Sequence, residues 1–322
     1  MMQRALIVER LAQQERARRA MPERPRLKIN LYTGSETRAT ARAAAALAAE
    51  GIDAGIDCLM VGDSYLMTHL GGSTTRIVDA AEQERVLGIL CRLLAEVRTA
   101  RDASMGPAVP WLLGDLPDGS ASNPDRAIRS VAAMAEAGAE AVKLELARDD
   151  DFAVLEALSA RGVPVVAHIG YTPQGRPNRR YGADAQEAAR LFAEARRARD
   201  CGAVALVVER LTEPVHRRLA APEPCALPVY AIFSGRAPGT GQSLNVWDAV
   251  VRPALPSRGF PPTATLRRED RAEHYTEAAI ARHLEELMRL TLAGRFPPPD
   301  RKPLDDRELV LIDALPVWSN AG

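Results

Sequence analysis

The chain has 322 residues, 47% of them hydrophobic, enough to bury one large core in a single main domain. Its 42 basic residues balance its 42 acidic ones, so net charge argues for neither a nucleic-acid nor a membrane-surface partner and favours a small-molecule ligand. Cys58, Cys91, Cys201 and Cys225 lack CxxC or zinc spacing, no apolar run reaches membrane-spanning length, and the N-terminus lacks a signal-peptide core; a reduced, soluble, cytoplasmic protein is expected.

Residues 1–26 read as an appended amphipathic helix. From there a helix-like stretch repeatedly ends near a glycine (Gly51, Gly138, Gly162, Gly202) and gives way to a short β-branched run. The strand-like runs are "RLKINLY", "DCLMVGD", "VPWLLGD", "EAVKLE", "VPVVAHIG", "AVALVVE" and "LPVYAIF", with "LNVWDAV" as a weaker eighth. Helices are expected at "SETRATARAAAALAAEG", "AAEQERVLGILCRLLAEVRTA", "NPDRAIRSVAAMAEAG" and "DAQEAARLFAEARRARDCG", and from Thr276 to about Gly294. This rhythm predicts an α/β fold, a (β/α)8 TIM barrel over residues 27–297, with a tail at 298–322.

The strands end in polar residues: Asp63, Asp115, the pair Lys143 and Glu145, His168, and Glu209. One such ending is ordinarily a helix cap or a core-edge ion pair. Their recurrence at one relative position points to a shared site, because barrel strand ends converge on one face. Lysine usage sharpens this: Lys28, Lys143 and Lys302 are the only lysines among the 42 basic residues, so a lysine inside a strand suggests a need for a compact point charge. The structural alternative is an ion pair with Glu145, which shares its strand face. Asp63 and Asp115 suit Mg²⁺, which takes one or two protein carboxylates and leaves the rest of its shell to water and substrate. Glu209 closes an apolar strand, where partial desolvation suits a general base. His168 is placed to hydrogen-bond a carbonyl oxygen, a role it shares with any structural strand-end histidine.

"VGDSYLM", "GDLPDGS", "AVKLE", "HIGYTPQ" and "VVER", in that order, resemble the successive motifs of the ketopantoate (3-methyl-2-oxobutanoate) hydroxymethyltransferase family, within the phosphoenolpyruvate mutase/isocitrate lyase superfamily. "FSGRAPGTGQ" is similar to its later glycine-rich loop, and the resemblance spans about residues 27–297. It implies a modified TIM barrel with Mg²⁺ at Asp63 and Asp115 and with Glu145 at the metal's water shell. A 2-oxo acid would chelate the metal, with Ser64 and Lys143 on its carboxylate, His168 near its keto group and Glu209 as the base. The enolate so formed would attack a one-carbon unit from 5,10-methylenetetrahydrofolate, and the protein would self-associate into a homo-oligomer.

The chain departs from the family beside the expected chemistry. Asp118 stands where an aromatic residue is usual, Arg210 stands where a small residue or cysteine is usual, and "TPQGRPNRRYG" carries Arg176, Arg179 and Arg180. Asp118 and Arg210 are therefore counted among the substrate-binding candidates, and a 2-oxo acid more polar than 2-oxoisovalerate is expected. The alternatives are a carbon-carbon lyase running the same enolate chemistry in reverse, an ordinary pantothenate-pathway enzyme and a non-catalytic descendant. The superfamily's cysteine-bearing "KKCGH"-type loop is absent, which counts against an isocitrate-lyase-like enzyme.

Overall fold

In the computed structural model, which describes residues 4–20, 26–106, 109–221, 223, 225–235, 237–246, 276–293 and 304–319, eight parallel strands close into a barrel in sequence order. They are β1 (Leu27–Asn30), β2 (Ile56–Val61), β3 (Trp111–Asp115), β4 (Ala141–Glu145), β5 (Val165–Gly170), β6 (Ala205–Glu209), β7 (Val229–Ile232) and β8 (Gly241–Asn245). Closure comes from β8 pairing with β1, Leu27 opposite Gln242 through Asn30 opposite Asn245. The eighth strand begins three residues earlier than the expected "LNVWDAV". Its "GQS" opening is polar and gives no strand signal, and it is buried because both neighbours cover it. The end of the expected segment, residues 247–250, lies outside the described residues.

Both faces of the sheet are covered, which explains strands that read as apolar runs without alternation. Leu59 and Val61 of β2 face the helical layer, while Cys58 and Met60 join Trp111, Leu113, Val207 and Tyr230 in the barrel interior. The helical layer comprises α2 (Gly34–Ala49), the short α3 (Tyr65–Thr68), α4 (Ala80–Ser104), α5 (Pro124–Glu136), α6 (Asp150–Ala160), α7 (Ala185–Asp200), α8 (Glu213–Ala220) and α9 (Glu277–Leu292). Local chemistry starts them: Thr33 and Glu36 form a reciprocal capping box on α2, and Asp79, Asn123, Asp184 and Thr276 cap α4, α5, α7 and α9. Gly202 stops α7 at φ +93°, and a Cβ there would collide with the Ser159 hydroxyl.

An N-terminal helix, α1 (Arg4–Ala20), closes the end of the barrel where the strands begin. Ile7 and Leu11 insert among the interior side chains, and Arg4 donates to the carbonyls of Val163 and Gly202, which precede β5 and β6. At the other terminus α10 (Asp306–Ala314) packs on α7 and α8, with Ile312, Val317 and Trp318 in the main core. Among the described residues no helix is long and apolar enough to cross a membrane.

Candidate active site

Parallel strands in register bring their C-terminal residues to one end of the barrel, and the polar strand ends meet there. Asp115 is the register partner of Lys143, Glu145 that of His168, and Glu209 that of Gly170. Lys143 Nζ lies 2.8 Å from Asp115 Oδ1 and 3.5 Å from Glu145 Oε1, so the nearer carboxylate is the one on the adjacent strand. His168 Nδ1 is 3.3 Å from Lys143 Nζ, and its Nε2 is 3.4 Å from Glu209 Oε2. Asp63, just beyond β2, joins through Gln174, whose Nε2 donates 2.8 Å to Asp63 Oδ2. Asp63, Asp115, Lys143, Glu145, His168 and Glu209 thus form one connected set.

Burial sets the electrostatics. Asp63, Asp115 and Glu145 are 3%, 1% and 4% exposed, and burial holds all three carboxyls above their ordinary range. For Asp63 the charges of Asp115 and Glu145 push further in the same direction. Burial by itself would lower Lys143, but Asp115 and Glu145 hold its ammonium above its ordinary value. Burial, and then the Lys143 charge, press His168 down to about 4, so its imidazole is neutral near pH 7. An ammonium only donates, so Nδ1 is the acceptor from Lys143 and Nε2 carries the ring hydrogen on the side of Glu209.

Three buried carboxylates face one ammonium, and such a surplus of hard oxygen donors fits a divalent cation. Asp115 Oδ1 lies 2.8 Å from Lys143 Nζ, and a carboxylate oxygen keeps a second lone pair beyond that contact. Gly62 leaves room beside Asp63, since a Cβ there would lie 3.0 Å from Asp115 Oδ2. Among the described residues no three His, Cys, Asp or Glu side chains are arranged to hold a metal unaided. That arrangement is not required by Mg²⁺, which keeps several waters. The oxygens of Glu145 already face Lys143, His168 and the Gln174 backbone N–H, so Glu145 suits the surrounding shell better than direct ligation.

The remaining candidates sit at the rim. Ser64 Oγ is 2.6 Å from the Tyr32 hydroxyl, which also accepts from Asn245 Nδ2 at 3.1 Å. Asp118 does not stand free: its Oδ2 accepts from the Ile77 N–H at 2.9 Å and anchors the loop between α3 and α4. Arg210 directly follows Glu209 in a left-handed conformation, φ 56°, with its guanidinium 5.9 Å from the Tyr171 ring. A shallow depression lies beside Glu145, lined in part by Pro117, Gly119, Arg148 and Gln174.

Two residues escaped the sequence reading. Gln174 also donates from Nε2 to the Leu116 carbonyl at 3.0 Å, so one loop amide ties the ends of β2, β3, β4 and β5 together. It lay inside "HIGYTPQ", but no spacing rule marks a bridging amide. Lys28 is 1% exposed inside the barrel, donates to Asn30 Oδ1 at 2.5 Å, and burial lowers it to about 8. Like Lys143, it is one of the three lysines of the chain and lies inside a strand.

The profile of the family described as ketopantoate hydroxymethyltransferase matches residues 33–252. The chain belongs to that family. Family membership makes it a hydroxymethyltransferase, an enzyme. It is 35% identical over 235 residues to 3-methyl-2-oxobutanoate hydroxymethyltransferase 2 of Methylibium petroleiphilum, covering 70% of this chain and 78% of the relative. To the 3-methyl-2-oxobutanoate hydroxymethyltransferase of Saccharopolyspora erythraea it is 32% identical over 256 residues, 77% of this chain and 78% of the relative. Among solved structures it is similar to 2,3-dimethylmalate lyase, a PEP mutase/isocitrate lyase superfamily member, with TM-score 0.49, 16% identity and coverage of 79% and 81%.

Proposed function

We propose that this family member adds a hydroxymethyl group to C3 of a 2-oxo acid, with 5,10-methylenetetrahydrofolate as the one-carbon donor and Mg²⁺ as the metal. The observation that carries the reading is the line from Glu209 through His168 to Lys143, set against the buried pair Asp63 and Asp115. Glu209 takes the C3 proton. The Nε2 hydrogen of neutral His168, a residue 2% exposed, is available to an oxygen that gains charge as the proton leaves. Lys143, held charged by Asp115 and Glu145, supplies a fixed positive charge for the substrate carboxylate, with the Ser64 hydroxyl as a second donor. Gln174 keeps Asp63 and Glu145 in place while these charges shift. Mg²⁺ bound by Asp63 and Asp115 would act as a Lewis acid toward the keto oxygen.

The atoms balance without an oxidant. The C3–H bond breaks and its proton passes to Glu209. The freed electron pair forms a carbon-carbon bond to the donor's methylene carbon, both carbon-nitrogen bonds of that carbon break, water supplies the hydroxyl, and tetrahydrofolate leaves with one proton from the substrate and one from water on its two nitrogens. Purified protein incubated with Mg²⁺, methylenetetrahydrofolate and a panel of 2-oxo acids is expected to yield a product heavier than its 2-oxo acid by CH2O. No such product from any 2-oxo acid carrying a C3 hydrogen would overturn the reading.

A further inference from the structure

Arg210 occupies a position that its own fold does not explain. Its backbone is held from both sides: its N–H donates to the Ile232 carbonyl at 3.0 Å, and its carbonyl accepts from Tyr181 N–H at 2.9 Å. It is fixed at φ 56°, a region that non-glycine residues rarely adopt. The nearby arginines of the loop after β5 are engaged. Arg176 pairs with Glu194 at 2.9 Å, Arg179 pairs with Glu187 at 2.5 Å, and Arg180 donates to the carbonyls of Leu211 and Phe233. Arg210 has no carboxylate within ion-pair distance among the described residues, and its buried Nε has no hydrogen-bond partner.

Tyr171 and Arg210 each follow the last residue of adjacent strands, and the Tyr171 N–H donates to the Glu209 carbonyl at 2.9 Å. They therefore share one rim segment, next to His168 and Glu209. The geometry points to Arg210 as an anion subsite at the mouth of the site, which takes the far carboxylate of a 2-oxo dicarboxylic acid while C3 lies at Glu209. A guanidinium offers a planar fork that pairs with a carboxylate through two parallel hydrogen bonds. An arginine with no carboxylate within ion-pair distance among the described residues and an unpartnered buried Nε narrows the expected substrate from polar to acidic.

This inference rests on the enolising site proposed above, and its test needs no folate. Exchange of the C3 hydrogen with deuterated water is measured for 2-oxoglutarate and 2-oxoisovalerate in the parent enzyme and in Arg210→Gln. The parent is expected to favour 2-oxoglutarate in kcat/KM, and the substitution to lower that preference by about 10-fold or more, as losing a charged hydrogen-bond partner would. Arg210→Gly removes the charge while relaxing the left-handed backbone; it should lower the preference equally, so a folding defect cannot imitate the effect. A parent that favours 2-oxoisovalerate, or a preference that neither variant changes, overturns the subsite and leaves the enolising site standing. Exchange of neither acid in the parent overturns both.

Discussion

Replacing Glu209 with glutamine is expected to lower kcat for hydroxymethyl transfer by about 10²-fold or more, the usual cost of losing a positioned base, while the barrel stays folded. Glutamine keeps the length and planarity of the side chain and removes its proton-accepting charge. Glu209 makes no ion contact among the described residues except the 3.4 Å approach to His168 Nε2, so the change breaks no buried pair. A melting temperature close to that of the parent should accompany the loss of turnover. Turnover within a few-fold of the parent would place the proton transfer on another group.

The second large effect is expected at Asp63, where stability and activity should move in opposite directions. Its carboxyl is held well above the ordinary range by burial and by the charges of Asp115 and Glu145, so the folded chain binds its proton more tightly than the unfolded chain does. Protonated Asp63 therefore favours the fold, and this contribution is lost as pH rises through the folded value. In metal-free protein at pH 7, Asp63→Asn should raise the melting temperature, and the advantage should shrink toward acid pH. Asparagine Oδ1 can still accept the Gln174 bond, so packing is preserved. The same substitution should abolish most of the upward shift in melting temperature that Mg²⁺ gives the parent, together with the activity, because binding to the native state stabilises by mass action. A chelated variant that melts below the chelated parent, or one that keeps the full Mg²⁺ response, would contradict this role.

The barrel was legible because each strand except the eighth carries its own apolar run and most helices carry a capping residue before them and a glycine after. The starting register of β8 was not, since "GQS" is strand only by virtue of β7 and β1 on either side. Helices α6 and α8 follow their strands with little amphipathic alternation or in short compass, and only the stop at Gly162 hinted at the first. In the site, the acidic and basic strand ends could be read off because chemistry and position coincide in one residue. Gln174 could not, because its role depends on three other loops arriving within hydrogen-bond distance. The sequence shows the Asp118 charge close to the candidate site, where it acts on Glu145, but not the bond from the Ile77 N–H to its Oδ2, which forms only when the loop before α4 folds back onto it.

The most direct test of an enolising, carbon-transferring site follows two labels in one reaction. Methylenetetrahydrofolate with an isotopically labelled methylene carbon is incubated with Mg²⁺, the enzyme and a 2-oxo acid carrying deuterium at C3, and the product is read by mass and by NMR. The predicted product holds the labelled carbon as a hydroxymethyl group bonded to C3 and has lost one C3 deuterium. A product that keeps all its C3 deuterium, or whose new carbon is unlabelled, would contradict proton removal by Glu209 followed by attack of C3 on the donor.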